Sequence, residues 1–358
     1  MKRKILTQIL VLLTIAVLVI TGCATPTPRE DKPIELRFTS GAPFFAGLGK
    51  VALAPWAKEL EERSAAIGKP VKVTLYSLGS LAAFPDTYDA IIKGIADIGA
   101  PWGPSHFPGR MPLLEVLQLP MLFPSGIVAS QVAQELYDTR PEIQEELKEA
   151  KLLFFCSSPP VVIHCKTRQI EILEDMEGMK ITTRPGYTSF TVEKLGGVPV
   201  TITPPEAYQA LERGVVDSVT MNWDGSMVFK YHEVTKYRTE TPMSLYSDPL
   251  ACSISIDTYN KLPQEVQEII DEISGMPQSI IAGKAFDESC NEVKNTVMGI
   301  DKKAGNPPPY MITDDESQKW IEAITPLYDQ WIEEVEAKGL PGRSIFEDVK
   351  RLTEKYSK

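Results

Sequence analysis

The chain has 358 residues, 43% of them hydrophobic and 24% charged, an ordinary globular composition with length enough for two domains of typical size. Its 37 basic and 48 acidic residues give a net charge of -11, which excludes the broad basic surface that a nucleic-acid backbone requires. An anionic ligand must therefore be met by local positive charge.

At the N-terminus, Lys2, Arg3 and Lys4 precede an apolar run over residues 5–20, broken early by Thr7, Gln8 and Thr14 and followed by Thr21-Gly22-Cys23. A basic start, a short apolar centre and small residues at the end describe a secretory signal. The run falls short of the roughly 20 uninterrupted apolar residues that span a bilayer. The cysteine directly after a small residue resembles a bacterial lipoprotein signal. That resemblance implies that residues 1–23 are the signal, with Cys23 lipidated, and that the chain is exported and held by lipid on a cell membrane, facing periplasm or exterior. Residues 24–34 are rich in Pro and Thr with no hydrophobic pattern and predict a flexible tether.

Past the tether, apolar alternation at residues 34–38, 71–75, 198–202 and 251–256 predicts strands, with helical patterns between them, so the fold class is α/β. One pattern occurs twice: Tyr88-Asp89-Ala90-Ile91-Ile92-Lys93-Gly94-Ile95-Ala96-Asp97 and Tyr208-Gln209-Ala210-Leu211-Glu212-Arg213-Gly214-Val215-Val216-Asp217. Each copy follows a Val-x-Val-Thr strand. Each predicts a helix with a basic last turn, a left-handed glycine cap and a short buried strand, and the duplication implies two related lobes. Ligands of open α/β sheets bind beyond the C-terminal ends of the strands, so the loops after Asp97 and Asp217 are the expected cleft walls. Trp102 follows the first copy; Asn222 and Trp223 follow the second. Two tryptophans at matching positions predict aromatic walls, and Phe44, after the first strand, predicts a further apolar contact.

The C-terminal part reads as helical. Leu262-Pro263 opens a pattern over residues 264–303, interrupted at Gly275-Met276-Pro277, where a break or kink is expected. After Asn306-Pro307-Pro308-Pro309 a last helical region carries Trp320 and Trp331, which read as core. Beyond Cys23, Cys156, Cys165, Cys252 and Cys290 match no zinc or redox spacing. Export permits disulfides, and buried thiols account for them equally well.

Several segments, in order along nearly the whole exported chain, resemble one known family. They are Gly94-Ile95-Ala96-Asp97-Ile98, the run from Leu114 through Leu119-Pro120 to Phe123, Leu173-Glu174-Asp175-Met176-Glu177-Gly178-Met179-Lys180-Ile181, Leu195-Gly196-Gly197-Val198-Pro199-Val200, the second repeat, and Leu262-Pro263-Gln264-Glu265-Val266-Gln267. Together they resemble the signature of the solute-binding proteins of TRAP (tripartite ATP-independent periplasmic) transporters, the DctP family. The resemblance implies a two-lobed periplasmic-binding-protein-like fold with hinge strands and a long helix spanning both lobes. It places lobe one at residues 35–158 and 248–288, and lobe two at 159–247 and 289–358. It also implies a receptor, without cofactor, metal or catalysis, that closes on a small organic acid and delivers it to membrane permease subunits.

One departure stands out. After Gly-x-Lys-Ile the family places an arginine that grips the substrate carboxylate through a bidentate ion pair; here that position is Thr182. Arg184 follows two residues on, on the same face of an extended segment and about 6.6 Å away, with Pro185 favouring extension at Arg184. Arg184 is therefore the candidate carboxylate clamp, with Thr182 beside it. An apolar cleft with a single arginine points to a monocarboxylate with an apolar or aromatic body rather than a small dicarboxylate.

The rival class, an exported enzyme, lacks support in the motifs. His232-Glu233 begins like a zinc-protease helix, but Lys236 stands where the second histidine belongs, and no Gly-x-Ser-x-Gly elbow occurs. Asp97 and Asp217 fit a strand-end structural role better than a catalytic pair. A receptor serving an ABC-type importer or a sensor remains the alternative among binding proteins.

Overall fold

Two β-sheets organise the computed structural model, which describes residues 32–358; the signal, Cys23 and the tether up to residue 31 lie outside the described residues. The strands are β1 (Ile34–Thr39), β2 (Val71–Tyr76), β3 (Ile98–Trp102), β4 (Ala150–Phe155), β5 (Val162–Cys165), β6 (Lys180–Thr183), β7 (Val198–Thr201), β8 (Ser218–Met221), β9 (Tyr237–Glu240), β10 (Ala251–Ser255) and β11 (Tyr310–Met311). Sheet one runs β2-β1-β3-β10-β4 and sheet two β11-β9-β5-β8-β6-β7. In each, three parallel strands meet an antiparallel return strand, β10 in the first and β5 in the second. The first strand begins at Ile34, inside the span expected of the tether. Pro199, which has no N–H to give a ladder, sits in the edge strand β7.

The two repeats fold alike. Helix Thr87–Ile92 leads to Gly94 at φ 67° and then β3, and helix Pro204–Arg213 leads to Gly214 at φ 71° and then β8. The Asp that ends each copy stitches its loop to the neighbouring parallel strand. The Asp97 N–H donates to the Arg37 carbonyl at 2.9 Å while the Arg37 N–H donates to Asp97 Oδ2 at 2.8 Å. Asp217 does the same with Lys180, at 2.8 and 2.9 Å. Burial works to raise the Asp97 pKa, but the hydrogen bonds from Arg37 outweigh it and hold the carboxyl below its ordinary value. Both aspartates are structural.

Residues 156–161 and 241–250 cross between the sheets, and the 30-residue helix Gly275–Ala304, about 45 Å long, packs on lobe one through helix Gly126–Thr139 and β4 and on lobe two through helix Trp223–Val228. Close approach to helix Gly126–Thr139 requires Gly283, where a Cβ would lie 2.8 Å from the Ile127 Cα. The expected break falls between helix Gln264–Glu272 and this long helix, with Gly275 at φ 68° and Pro277 in the first turn, where a missing N–H costs nothing.

Trp320 and Trp331 are fully buried. The last helix, Gly342–Tyr356, lies within the residues 289–358 expected in lobe two and packs on helix Gly126–Thr139 of lobe one. Its Ile345, Phe346, Val349 and Leu352 form one apolar face, buried in the same core as Val128, Val132 and Leu136 of lobe one. Arg140 pairs with Asp348, and the Trp331 indole N–H donates to the Pro112 carbonyl at 2.9 Å. Cys156, Cys165, Cys252 and Cys290 are buried free thiols, and burial pushes that of Cys165 up to about 12. In β9 the fully buried Arg238 places Nη2 3.4 Å from Asp301 Oδ1, near the end of the long helix; its Nε and Asp301 Oδ2 have no partner.

Candidate functional site

Between the lobes lies a cavity of about 820 Å³, within the range of organic-ligand sites. Lobe one contributes the loop after β1 (Pro43, Gly47 and Leu48 among others), then Phe84, Pro101, Ser105 and His106; lobe two contributes Thr183, Arg184, Ile202, Met221, Asn222, Asp224 and Phe229. Phe286 of the long helix joins them. Most of this lining is apolar, and among the described residues Arg184 is its only Lys or Arg.

Arg184 follows β6, and its carbonyl accepts the Ser189 hydroxyl at 2.7 Å as the chain turns into helix Tyr187–Lys194. Its guanidinium pairs through Nη1 with Asp248 in the second crossing segment, and a quarter of the side chain stays accessible. Burial lowers its pKa, yet a guanidinium keeps its charge at any working pH. Asp248 Oδ1 in turn accepts the Ser105 hydroxyl at 3.1 Å, so a polar chain runs from lobe two through the hinge to lobe one. Beside the cleft is a smaller chamber of about 60 Å³ with a mixed lining, Thr182, Arg184, Asn222 and Asp248 together with Val161, Val219 and Leu250 among others, with room for a few waters. Thr182 and Arg184, two residues apart at the end of β6, thus line one chamber.

Asn222 lines both spaces. Its Oδ1 accepts the Gly225 N–H at 2.8 Å and caps helix Trp223–Val228, and its Nδ2 donates to Ser158 Oγ at 2.9 Å. Three expected wall residues lie elsewhere. Trp102 is 1% exposed and stacks in the lobe-one core with its ring 4.4 Å from Tyr88; strand alternation gives the cleft to Pro101 instead. Trp223 is buried against His164 and donates its indole N–H to Glu240 at 2.9 Å. Phe44 packs edge-on against Phe38 at 5.0 Å, inside the core. The walls are built of proline, phenylalanine and aliphatic residues rather than tryptophan.

His106, Asp224 and Asp248 escaped the sequence reading. His106 and Asp224 sit in the two loops that the repeats mark as walls, so weighing whole loops rather than their aromatic residues alone finds them; Asp248 carries no such mark. The Nδ1 of His106 accepts the Gly103 N–H at 3.3 Å, so its proton resides on Nε2, which has no partner. Burial first, and the Arg184 charge second, lower its pKa to about 3, and the imidazole is neutral.

The family model of bacterial extracellular solute-binding protein, family 7 (DctP), matches residues 48–334. The C4-dicarboxylate-binding periplasmic protein DctP of Rhodobacter capsulatus is 24% identical over 316 residues, which is 88% of this chain and 91% of that protein. Among solved structures, a TRAP solute-binding protein from a marine metagenome, specific for aromatic acid ligands and bound to 3-hydroxybenzoate, superposes with a TM-score of 0.84 at 27% identity, covering 92% of this chain and 100% of that one. A TRAP solute-binding protein from Rhodoferax ferrireducens, holding copurified benzoate, shares the fold with a TM-score of 0.83 at 24% identity over 90% of this chain and 98% of that one. A two-lobed α/β fold, a cavity between the lobes and a family match over most of the length converge: this chain belongs to the DctP family of bacterial extracellular solute-binding proteins and is a TRAP-type solute-binding protein.

Proposed function

We propose that the receptor takes a monocarboxylate with an aromatic or otherwise apolar body, held through its carboxylate by Arg184. The observation that carries this reading is a single guanidinium in a cavity otherwise lined mainly by apolar groups. A small dicarboxylate needs a second cationic partner or many donors for its second charge, since burying an unpaired carboxylate is costly. Two structures of one relative at 27% identity, the second a surface mutant of the first, support the reading, with 3-hydroxybenzoate and metahydroxyphenylacetate bound. Asp248 holds one edge of the guanidinium, and a ligand carboxylate meets the rest of its planar fork. Closure of the lobes on the ligand then excludes water from that pair, and the closed form is what the permease recognises, without chemical conversion of the ligand.

The test is a thermal-shift panel on residues 24–358, without lipid, with benzoate, 3-hydroxybenzoate, phenylacetate and succinate, alongside mass spectrometry of copurified ligand. A ligand at a hundredfold excess over its Kd stabilises the native state by about 2.7 kcal/mol. The aromatic acids are expected to raise Tm and to be recovered intact. A larger shift with succinate overturns the ligand class, and conversion of an acid by pure protein overturns the receptor reading.

The lipid anchor on Cys23 belongs to the same proposal. Among the described residues no helix is long and apolar enough to cross a membrane, and one acyl chain alone binds only marginally. In a Cys23→Ala variant the processed protein is expected to leave the membrane fraction on washing, whereas wild type stays. Retention of the processed variant with membranes sinks the assignment.

A further inference from the structure

The cavity holds a second charged group that a carboxylate clamp does not explain. Asp224 is 4% exposed and lines the cavity near the start of helix Trp223–Val228. Its Oδ1 accepts the Ser289 hydroxyl of the long helix at 3.2 Å, while Oδ2 has no partner. Helix capping does not account for it, because Asn222 supplies that cap. Across the lobe boundary stands Gly47 at φ 51°, where a Cβ would lie 3.8 Å from Oδ2, so at this point lobe one brings backbone rather than a side chain to the carboxylate. A buried acceptor without a donor is destabilising, and burial raises the Asp224 pKa. The neighbours of Arg184 are Asp248, His106, Tyr231 and Tyr246, whereas those of Asp224 are Ser289, Cys290 and Gly47. These two sets of neighbours share no residue, so Asp224 is not part of the Arg184–Asp248 pair.

We propose that Asp224 is the second anchor of the site and selects organic acids whose apolar body carries a hydroxyl, or another hydrogen-bond donor, remote from the carboxylate. This rests on the reading that Arg184 binds the carboxylate. A donor on the ligand hydrogen-bonds to Oδ2, and an acid lacking it leaves that oxygen unpaired in the closed cleft. Sites built to satisfy a substrate hydroxyl discriminate strongly against the analogue without one, because their own buried polar group is then orphaned.

The test is calorimetric titration of wild type, Asp224→Leu, Asp224→Asn and Arg184→Ala with benzoate, 2-hydroxybenzoate, 3-hydroxybenzoate and 4-hydroxyphenylacetate. Wild type is expected to prefer the better of the two remote-hydroxyl acids to benzoate by roughly tenfold to hundredfold, the range for a hydrogen bond to a charged group; 2-hydroxybenzoate gains nothing of that kind. In Asp224→Leu the ratio is expected to fall to near one. Asp224→Asn, which keeps an acceptor for Ser289 and so guards the fold, is expected to lie between. A wild-type ratio near one, or a loss in the Asp224 variants equal for all acids, overturns the proposal while leaving the carboxylate reading in place. A hydroxyl preference that depends on Asp224 but survives undiminished affinity in Arg184→Ala overturns the carboxylate reading instead. Absence of binding by all four acids to wild type overturns both.

Discussion

Arg184→Ala is expected to weaken ligand binding by about thirtyfold or more. Truncating one partner of a buried, hydrogen-bonded charge pair costs about 2–5 kcal/mol, largely because the other charge is left unpaired in a dry site, and each 1.4 kcal/mol is about a decade in Kd. Arg184→Lys is expected to recover only part of the loss, since an ammonium cannot reproduce the planar fork. Arg184 also neutralises the buried Asp248, so its removal strains the hinge as well as the ligand. Adding Asp248→Asn relieves that internal charge without restoring a clamp, and the pair separates a loss of fold from a loss of grip. The decisive variant joins Thr182→Arg to Arg184→Ala. Thr182 lines the chamber that Arg184 reaches, and loss of the Arg184 side chain in the same variant frees room there for a new fork, so recovered affinity is expected. Unchanged affinity in a folded Arg184→Ala protein would show that another group holds the ligand.

The largest effect on stability is expected at Asp301. It faces the fully buried Arg238, and removing one partner of such a pair typically costs about 3–5 kcal/mol because a buried charge is stranded. Asp301→Ala should therefore lower the urea midpoint of residues 24–358 sharply, at an unchanged denaturant slope. The pair is poorly satisfied, with Arg238 Nε and Asp301 Oδ2 both lacking partners. Replacing both residues, as Arg238→Met with Asp301→Leu, is accordingly expected to restore most of the lost stability. A double variant as unstable as Asp301→Ala would show that packing, not stranded charge, dominates there.

The sequence exposed the parts of this fold that are written in the backbone. The repeated Gly-x-x-Asp units were legible because each position has a local job: Gly94 and Gly214 turn left-handed, and Asp97 and Asp217 close two-way hydrogen bonds with the adjacent strand. Arg184 stood out as a cation displaced from an expected place, and the structure puts it at the cavity. The misplaced residues share one cause. Trp102, Trp223 and Phe44 were assigned from their loops, but which of two neighbouring residues faces the cleft depends on strand register and helix phase. At β3 the cleft receives Pro101 rather than Trp102, and after β8 it receives Asn222 and Asp224 rather than Trp223. Asp248 was invisible for a different reason. It meets Arg184 only because the second crossing passes the end of β6, a contact 64 residues apart in sequence that no local pattern encodes. The amphipathic last helix likewise shows its apolar face in the sequence, but not which lobe receives it.

The position of β10 sets an order in time. This strand fills the gap between β3 and β4, yet it follows them by the whole of sheet two's first five strands. Lobe one therefore has two unpaired strand edges until residue 255 is available, while most of sheet two needs only residues 162–240. Pairings over such separations form slowly, because a long loop must close before any contact rewards it. If the proposed signal exports the chain unfolded, that delay would be protective: premature collapse of the N-terminal third would be disfavoured, and the first lobe would lock only once residues up to 255 had emerged.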